Sequence, residues 1–226
     1  MATIAENLQA VRARIGRAAR AAGRDAQSVT LLAVSKTHAA ARILEAHAAG
    51  QVAFGENYVQ EASEKMTSLP RLEWHLIGPL QSNKTRLAAQ CFDWIHTIDR
   101  EKIARRLSEQ RPAHLPALNV LIQVNVSGEA TKGGVPAAEV AALAKTIVAL
   151  RRLRLRGLMA IPEPGAAPSR YREARAAFEA LGRELDVDTL SLGMSDDLEL
   201  AIAEGATMVR IGTAIFGARR TEKHAA

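Results

Sequence analysis

Eight short apolar runs alternate with longer stretches of helical periodicity, and that alternation is the signature of a parallel β-sheet. The first four runs are 29–35 (VTLLAVS), 52–55 (VAFG), 74–78 (WHLIG) and 92–98 (FDWIHTI). The other four are 117–126 (ALNVLIQVNV), 155–161 (LRGLMAI), 189–193 (TLSLG) and 208–212 (MVRIG). Helical patterns fill the intervals near 39–49, 56–67, 80–90, 100–110, 136–150, 168–185 and 196–204, and a last short one begins at Thr213. Eight such units in 226 residues favour closure into a (β/α)8 TIM-type barrel of the α/β class, which typically takes about 250 residues. An open doubly wound sheet is the alternative.

No linker rich in Pro, Gly or Ser divides the chain. The nearest candidate, PEPGAAPS at 162–169, is equally a βα loop. The sequence therefore reads as one domain over 1–226, with an extra helix ahead of the barrel. In that helix Ile4, Leu8, Val11 and Ile15 recur at helical spacing, Thr3 and Glu6 have the form of a capping box, and Gly23 is a stop.

Composition narrows the class further. With 48% hydrophobic and 24% charged residues, whole-chain disorder is excluded. The net charge of +6 raises the question of a polyanion partner. The densest basic run, Arg151, Arg152, Arg154 and Arg156, is interleaved with Leu153 and Leu155, as at a helix end running into a strand. Only two Tyr and four Phe are available for base stacking, so no nucleic-acid partner is expected. Cys91 is the sole cysteine, which rules out an intramolecular disulfide and argues against a Cys-built zinc site. No signal-peptide core and no stretch of roughly 18 apolar residues is present, so a cytoplasmic location with no membrane partner is expected.

Parallel barrels bind ligands at the C-terminal strand ends. Lys36 follows the first run directly, where burial would lower its pKa and leave the amine free to attack an aldehyde. Taken alone, a lysine leaving a strand end for solvent is the ordinary case. The seventh and eighth ends alter the balance. LSLGMSDDLELAI sets Gly193 and Ser195 before a helix, and VRIGTAIFG sets Gly212 and Thr213 before another. Together they make a two-loop anion cradle at the place where barrels commonly bind phosphate. Asp196 and Asp197 oppose a phosphate there, and their side chains are expected to point outward, leaving the amides free. Arg210 breaks the last apolar run at inward parity, aimed at a ligand or at an internal ion pair with Glu56 or Asp99. His75, Gln81, Asn83 and Lys84 near the third end, and Lys132 after the fifth, are weaker candidates. His75 is as readily a hydrogen-bonded core histidine.

These segments resemble the pyridoxal phosphate homeostasis protein family, whose fold is that of the alanine racemase N-terminal barrel. AVSKTH, FGENYVQEA, WHLIGPLQSNK, WIHTID, QVNVSGEATKGG, GLMAI, LSLGMSDDLELAI and VRIGTAIFG run in the family's order from about residue 30 to 217. The departures are small: LSLGMS stands where LSMGMS is usual, and the approach to the sixth run is rich in Arg. The resemblance implies pyridoxal 5′-phosphate (PLP) as cofactor, held as a Schiff base on Lys36. It implies Ser195, Gly212 and Thr213 at the phosphate, Arg210 at the pyridine nitrogen, and Val34, Asn57 and Met159 around the ring. No metal is implied.

An arginine cannot keep the ring nitrogen protonated as an aspartate does, so the ring would be a poor electron sink. Transamination and decarboxylation are thereby disfavoured, whereas racemisation is not. Related racemases, however, draw a catalytic tyrosine from a second domain that this chain has no residues to build. Tyr58 and Tyr171 are the only tyrosines, and neither stands in a motif that marks a proton donor. The expectation is a monomeric carrier that keeps PLP supplied but low, with apo PLP-dependent enzymes as recipients. A small amino-acid racemase is the alternative. Lys84 and Lys132 are possible second docking points for PLP.

Overall fold

The computed structural model describes residues 2–128 and 133–217. Helix α1 (Ile4–Ala21) comes first, with Ile4, Leu8, Val11 and Ile15 buried and the Thr3–Glu6 capping box formed in both directions. Then strands and helices alternate: β1 (Thr30–Val34), α2 (Ala40–Ala48), β2 (Ala53–Glu56), α3 (Val59–Met66), β3 (Glu73–Leu76), α4 (Thr85–Cys91), β4 (Trp94–Ile98) and α5 (Glu101–Gln110). The second half runs β5 (Leu118–Val124), α6 (Val140–Val148), β6 (Leu153–Ala160), α7 (Pro168–Gly182), β7 (Thr189–Ser191), α8 (Leu198–Ala203), β8 (Met208–Ile211) and α9 (Thr213–Phe216). Among the described residues the strands close into one parallel barrel in chain order, β8 pairing back onto β1. Closure, and not the open sheet, is the outcome.

The pleat sorts each strand's residues between two environments. Leu31, Ala33, Phe54, Ile95, Val209 and Ile211 belong to the main core shared with the surrounding helices. The alternate residues face the barrel interior, where Leu32, Ala53 and Met208 form one apolar cluster and Trp94, Leu121 and Met159 another. The basic run before and within β6 is partly structural: Arg152 donates to the Leu115 carbonyl at 2.7 Å, and Arg156 donates to Asp188 at 2.6 Å. Among the described residues no helix is long and apolar enough to cross a membrane.

Candidate functional site

The interior parity of β1 continues past Val34 to Lys36, a half-buried residue at the C-terminal mouth of the barrel. On the adjoining strand, Ala33 pairs with Ile211, which brings Gly212 beside Val34. A Cβ added at Gly212 would lie 3.2 Å from the Val34 carbonyl oxygen, closer than an ordinary van der Waals contact. On the other side Val34 pairs with Gly55, and the same parity carries β2 up to Asn57. Gly78 fixes Asn57 from behind, since a Cβ there would fall 2.2 Å from the Asn57 carbonyl oxygen. Met159 pairs with Ser191 and is 0% exposed, packed with Trp94 and Leu121 beneath the mouth.

Arg210 sits at the same parity, two residues before Gly212, with only 4% of its surface exposed. Its guanidinium donates to Ser191 Oγ at 2.8 Å and to the Ala160 carbonyl at 3.0 Å. Burial pulls its pKa down to about 10, which still leaves it a cation at neutral pH. The ion pair with Glu56 or Asp99 raised by the sequence does not form. Glu56 has the outward parity of β2 and binds Lys65 at 3.0 Å and the Ser35 hydroxyl at 2.6 Å. Asp99 lies beyond β4 and pairs with Arg100 at 2.6 Å.

The loops after β7 and β8 carry the remaining predicted residues. Gly193, at φ 94°, lets α8 pack so closely that a Cβ there would meet Ala201 Cβ at 2.4 Å. Ser195 follows, half-buried, and Thr213 begins α9, in whose first turn the Ile215 and Phe216 amides already donate to the Gly212 carbonyl, each at 2.9 Å. The expectation that both aspartates point outward is corrected at Asp197. Its carboxylate turns back, accepting the Met194 amide at 2.5 Å and the Tyr171 hydroxyl at 2.6 Å. The Met194 amide and the buried phenol thus hold the carboxylate by charge-assisted hydrogen bonds. One amide of the cradle is thereby used by the protein. Helix α1 braces both loops, through Arg14 to the Ser195 carbonyl at 3.2 Å and Asn7 to the Ile215 carbonyl at 2.9 Å.

Several residues at or beneath this mouth were given no site role from the sequence. Thr37 adopts φ 66°, and among the described non-glycine residues it alone has a positive φ. Its amide donates to Glu61 Oε1 at 2.8 Å, and Glu61 in turn pairs with Lys65 at 2.6 Å. Tyr171, His96 and Ser191 were also missed. His75 is a core histidine, wholly buried, with Nδ1 2.9 Å from His96 Nε2. Gln81, Asn83 and Lys84 lie exposed on the loop after β3. Lys132 lies outside the described residues.

Relatives agree with this architecture over nearly the whole chain. The alanine racemase N-terminal domain family matches residues 6–220. A pyridoxal phosphate homeostasis protein of Pseudomonas aeruginosa is 60% identical over 223 residues, 97% of each chain. That of Escherichia coli is 57% identical over 233 residues, covering 99% of this chain and 100% of the other. PipY of Synechococcus elongatus, solved with PLP bound, is 40% identical, with a TM-score of 0.82 over 95% of this chain and 100% of that one. Alanine racemase from Corynebacterium glutamicum shares the fold alone, at 19% identity and a TM-score of 0.70 over 95% of this chain and 61% of that one. With full-length identity above half, a matching family model and a barrel whose mouth carries the expected residues, the chain belongs to the pyridoxal phosphate homeostasis protein family.

Proposed function

We propose that this chain binds PLP at the barrel mouth and serves in intracellular PLP homeostasis as a reversible carrier. Lys36 is the residue that would hold the cofactor covalently through its amine. Ser195, Gly212 and Thr213 would receive the phosphate, Arg210 would face the ring nitrogen, and Val34, Asn57 and Met159 would line or underlie the ring. The observation that carries the reading is the convergence of a lysine, a buried guanidinium and a glycine-gated cradle on one side of three adjoining strands. An aldehyde, a ring acceptor and a phosphate are the three groups such a donor set suits. The PLP found in PipY, a 40% identical neighbour, supports the same cofactor here.

When bound, PLP supplies an aldehyde that links reversibly to amines and a ring that can take up electron density. The chain's own residues argue for the first use over the second. Arg210 has N–H donors and no acceptor, so it would donate to the ring nitrogen without giving up a proton to it. Tyr171 is buried, and its hydroxyl is committed to Asp197, which together with burial raises its pKa and removes it as an acid. Tyr58 stands 59% exposed just beyond β2, with water as its environment. That set supports carriage without substantial catalysis.

The near-visible absorbance spectrum of the purified protein, followed by borohydride reduction and peptide mapping, tests the site. A band fixed by reduction as a pyridoxyl adduct on Lys36 supports the reading. A protein that stays colourless and unlabelled after soaking in PLP sinks it. Incubation with L- and D-amino acids in deuterated water tests the carrier role, because α-hydrogen exchange would assign an enzyme instead.

A further inference from the structure

Four side chains lead away from Arg210 through the barrel interior in a single hydrogen-bonded line. Arg210 donates to Ser191 Oγ at 2.8 Å, and that oxygen lies 3.1 Å from His96 Nδ1. His96 Nε2 is 2.9 Å from His75 Nδ1, and His75 Nε2 is 2.8 Å from Glu73 Oε1. Ser191, His96 and His75 are 0% exposed. Glu73, by contrast, is the first residue of β3, at the end of the barrel opposite the mouth, with 47% of its side chain exposed.

With both imidazoles neutral and Glu73, whose pKa its hydrogen bond from His75 lowers, ionised, the Glu73 end fixes every proton along the line. An arginine only donates and an ionised carboxylate only accepts. Ser191 therefore accepts from Arg210 and gives its own proton to His96 Nδ1. His96 then carries its proton on Nε2 and gives it to His75 Nδ1, and His75 gives its Nε2 proton to Glu73. Both imidazoles are neutral in this scheme, which agrees with burial lowering the pKa of each, His96 well below the ordinary range. All the dipoles point one way, and a fully satisfied buried line of this kind is polarised along its length. Other charges that face the line are few. Asp93 acts on His75 and Asp197 on Arg210. Arg156 lies 4.6 Å over the Trp94 ring, which stacks on His75 at 5.2 Å, and is itself neutralised by Asp188.

We propose that Ser191, His96, His75 and Glu73 are positioning residues that hold Arg210 in its orientation at the PLP ring and couple it to a carboxylate at the far end of the barrel. This rests on the placement of Arg210 at the ring nitrogen proposed above. It assigns a role to four residues that touch no part of the cofactor, and it makes the cofactor's electronic environment responsive to a half-exposed acid on the opposite face.

The test uses the full chain loaded with PLP, and reads both affinity and the pH midpoint of the cofactor's absorbance band. Ser191→Ala should weaken PLP binding about tenfold and shift the midpoint, while Ser191→Thr, which keeps the hydroxyl, should restore both. Glu73→Gln removes charge at the exposed end, where folding is least at risk, and should weaken binding about threefold with a shift in the same direction. In the Ser191→Ala background Glu73→Gln should add nothing further, because the line is already broken. Multiplicative effects in the double variant, or unchanged affinity and midpoint in Glu73→Gln with PLP still reducible onto Lys36, would overturn the relay. A wild-type protein that fails to take up PLP would instead remove the function proposed above, and the relay's role with it.

Discussion

The Thr37 amide donates to Glu61 Oε1 across 2.8 Å, and it does so from a backbone held at φ 66°. A β-branched residue in that region carries strain of roughly 1–2 kcal/mol, and it sits one residue after Lys36. The carboxylate of α3 is thus a clamp on the turn that presents the lysine. Glu61→Ala should let the turn relax and lower PLP affinity about tenfold. Adding Thr37→Gly, a residue that reaches positive φ without strain, should recover part of that loss. Absorbance titration of the two variants checks this, and an affinity unaltered by Glu61→Ala would show that the clamp does not govern the lysine.

Gly212 separates folding from binding. An added methyl would stand 3.2 Å from the Val34 carbonyl oxygen, tight but within reach of a small backbone adjustment. Gly212→Ala should therefore cost no more than about 1–2 kcal/mol of stability. The same methyl would occupy the cradle proposed for the phosphate, and PLP affinity should fall at least about tenfold. Urea unfolding and PLP titration on one preparation supply both numbers. Undiminished affinity would place the phosphate elsewhere.

The fold was legible because its signal is periodic. All eight apolar runs became strands in the expected order; Lys36, Arg210 and Gly212 were singled out by asking which residues close a strand, whereas Asn57 came from the family resemblance. Contacts between separated elements were not legible. Nothing in NYVQEASEK says that Lys65 will reach back to Glu56, or that Glu61 will cap the amide of Thr37. Asp197 was misjudged because its orientation depends on Tyr171, which lies 26 residues away on α7. His96 and Ser191 did carry a signal, as polar residues at interior parity in apolar runs, but their meaning comes from a register that only the closed barrel sets.

Tyr171 and Asp197 define the loop after β7. The hydroxyl is a buried donor 2.6 Å from a carboxylate whose other oxygen accepts the Met194 amide. Tyr171→Phe removes that donor from a partly desolvated anion and should cost about 1–3 kcal/mol of unfolding free energy. Amide hydrogen exchange at Met194 should accelerate with it, since the carboxylate is then free to turn toward water. In the wild type, Tyr171 should ionise only above the ordinary tyrosine range, as burial and the adjacent carboxylate both oppose a second negative charge. Alkaline titration of the tyrosinate absorbance should show that resistant residue and lose it in Tyr171→Phe. Full protection of the Met194 amide in the variant would separate the loop's order from this bond.

The buried imidazoles set an acid limit on stability. Desolvation lowers the pKa of both His75 and His96 in the folded state, whereas in the unfolded chain each titrates near the ordinary histidine value, about 6.5. The folded protein therefore binds fewer protons than the unfolded one below that pH. The stability these two residues confer is complete above about pH 6.5 and is lost as the pH falls toward their folded values. With two protons taken up on unfolding wherever the pH lies above both folded values, the unfolding free energy should drop by up to about 2.7 kcal/mol per pH unit as the pH falls below about 6.5. His96→Gln removes one of the two sites and should halve that slope, whatever it does to stability at neutral pH. Urea unfolding of wild type and variant across this window makes the comparison. Equal slopes would mean that His96 takes up its proton in the folded state, which would also break the neutral, single-direction hydrogen-bond line that joins Glu73 to Arg210.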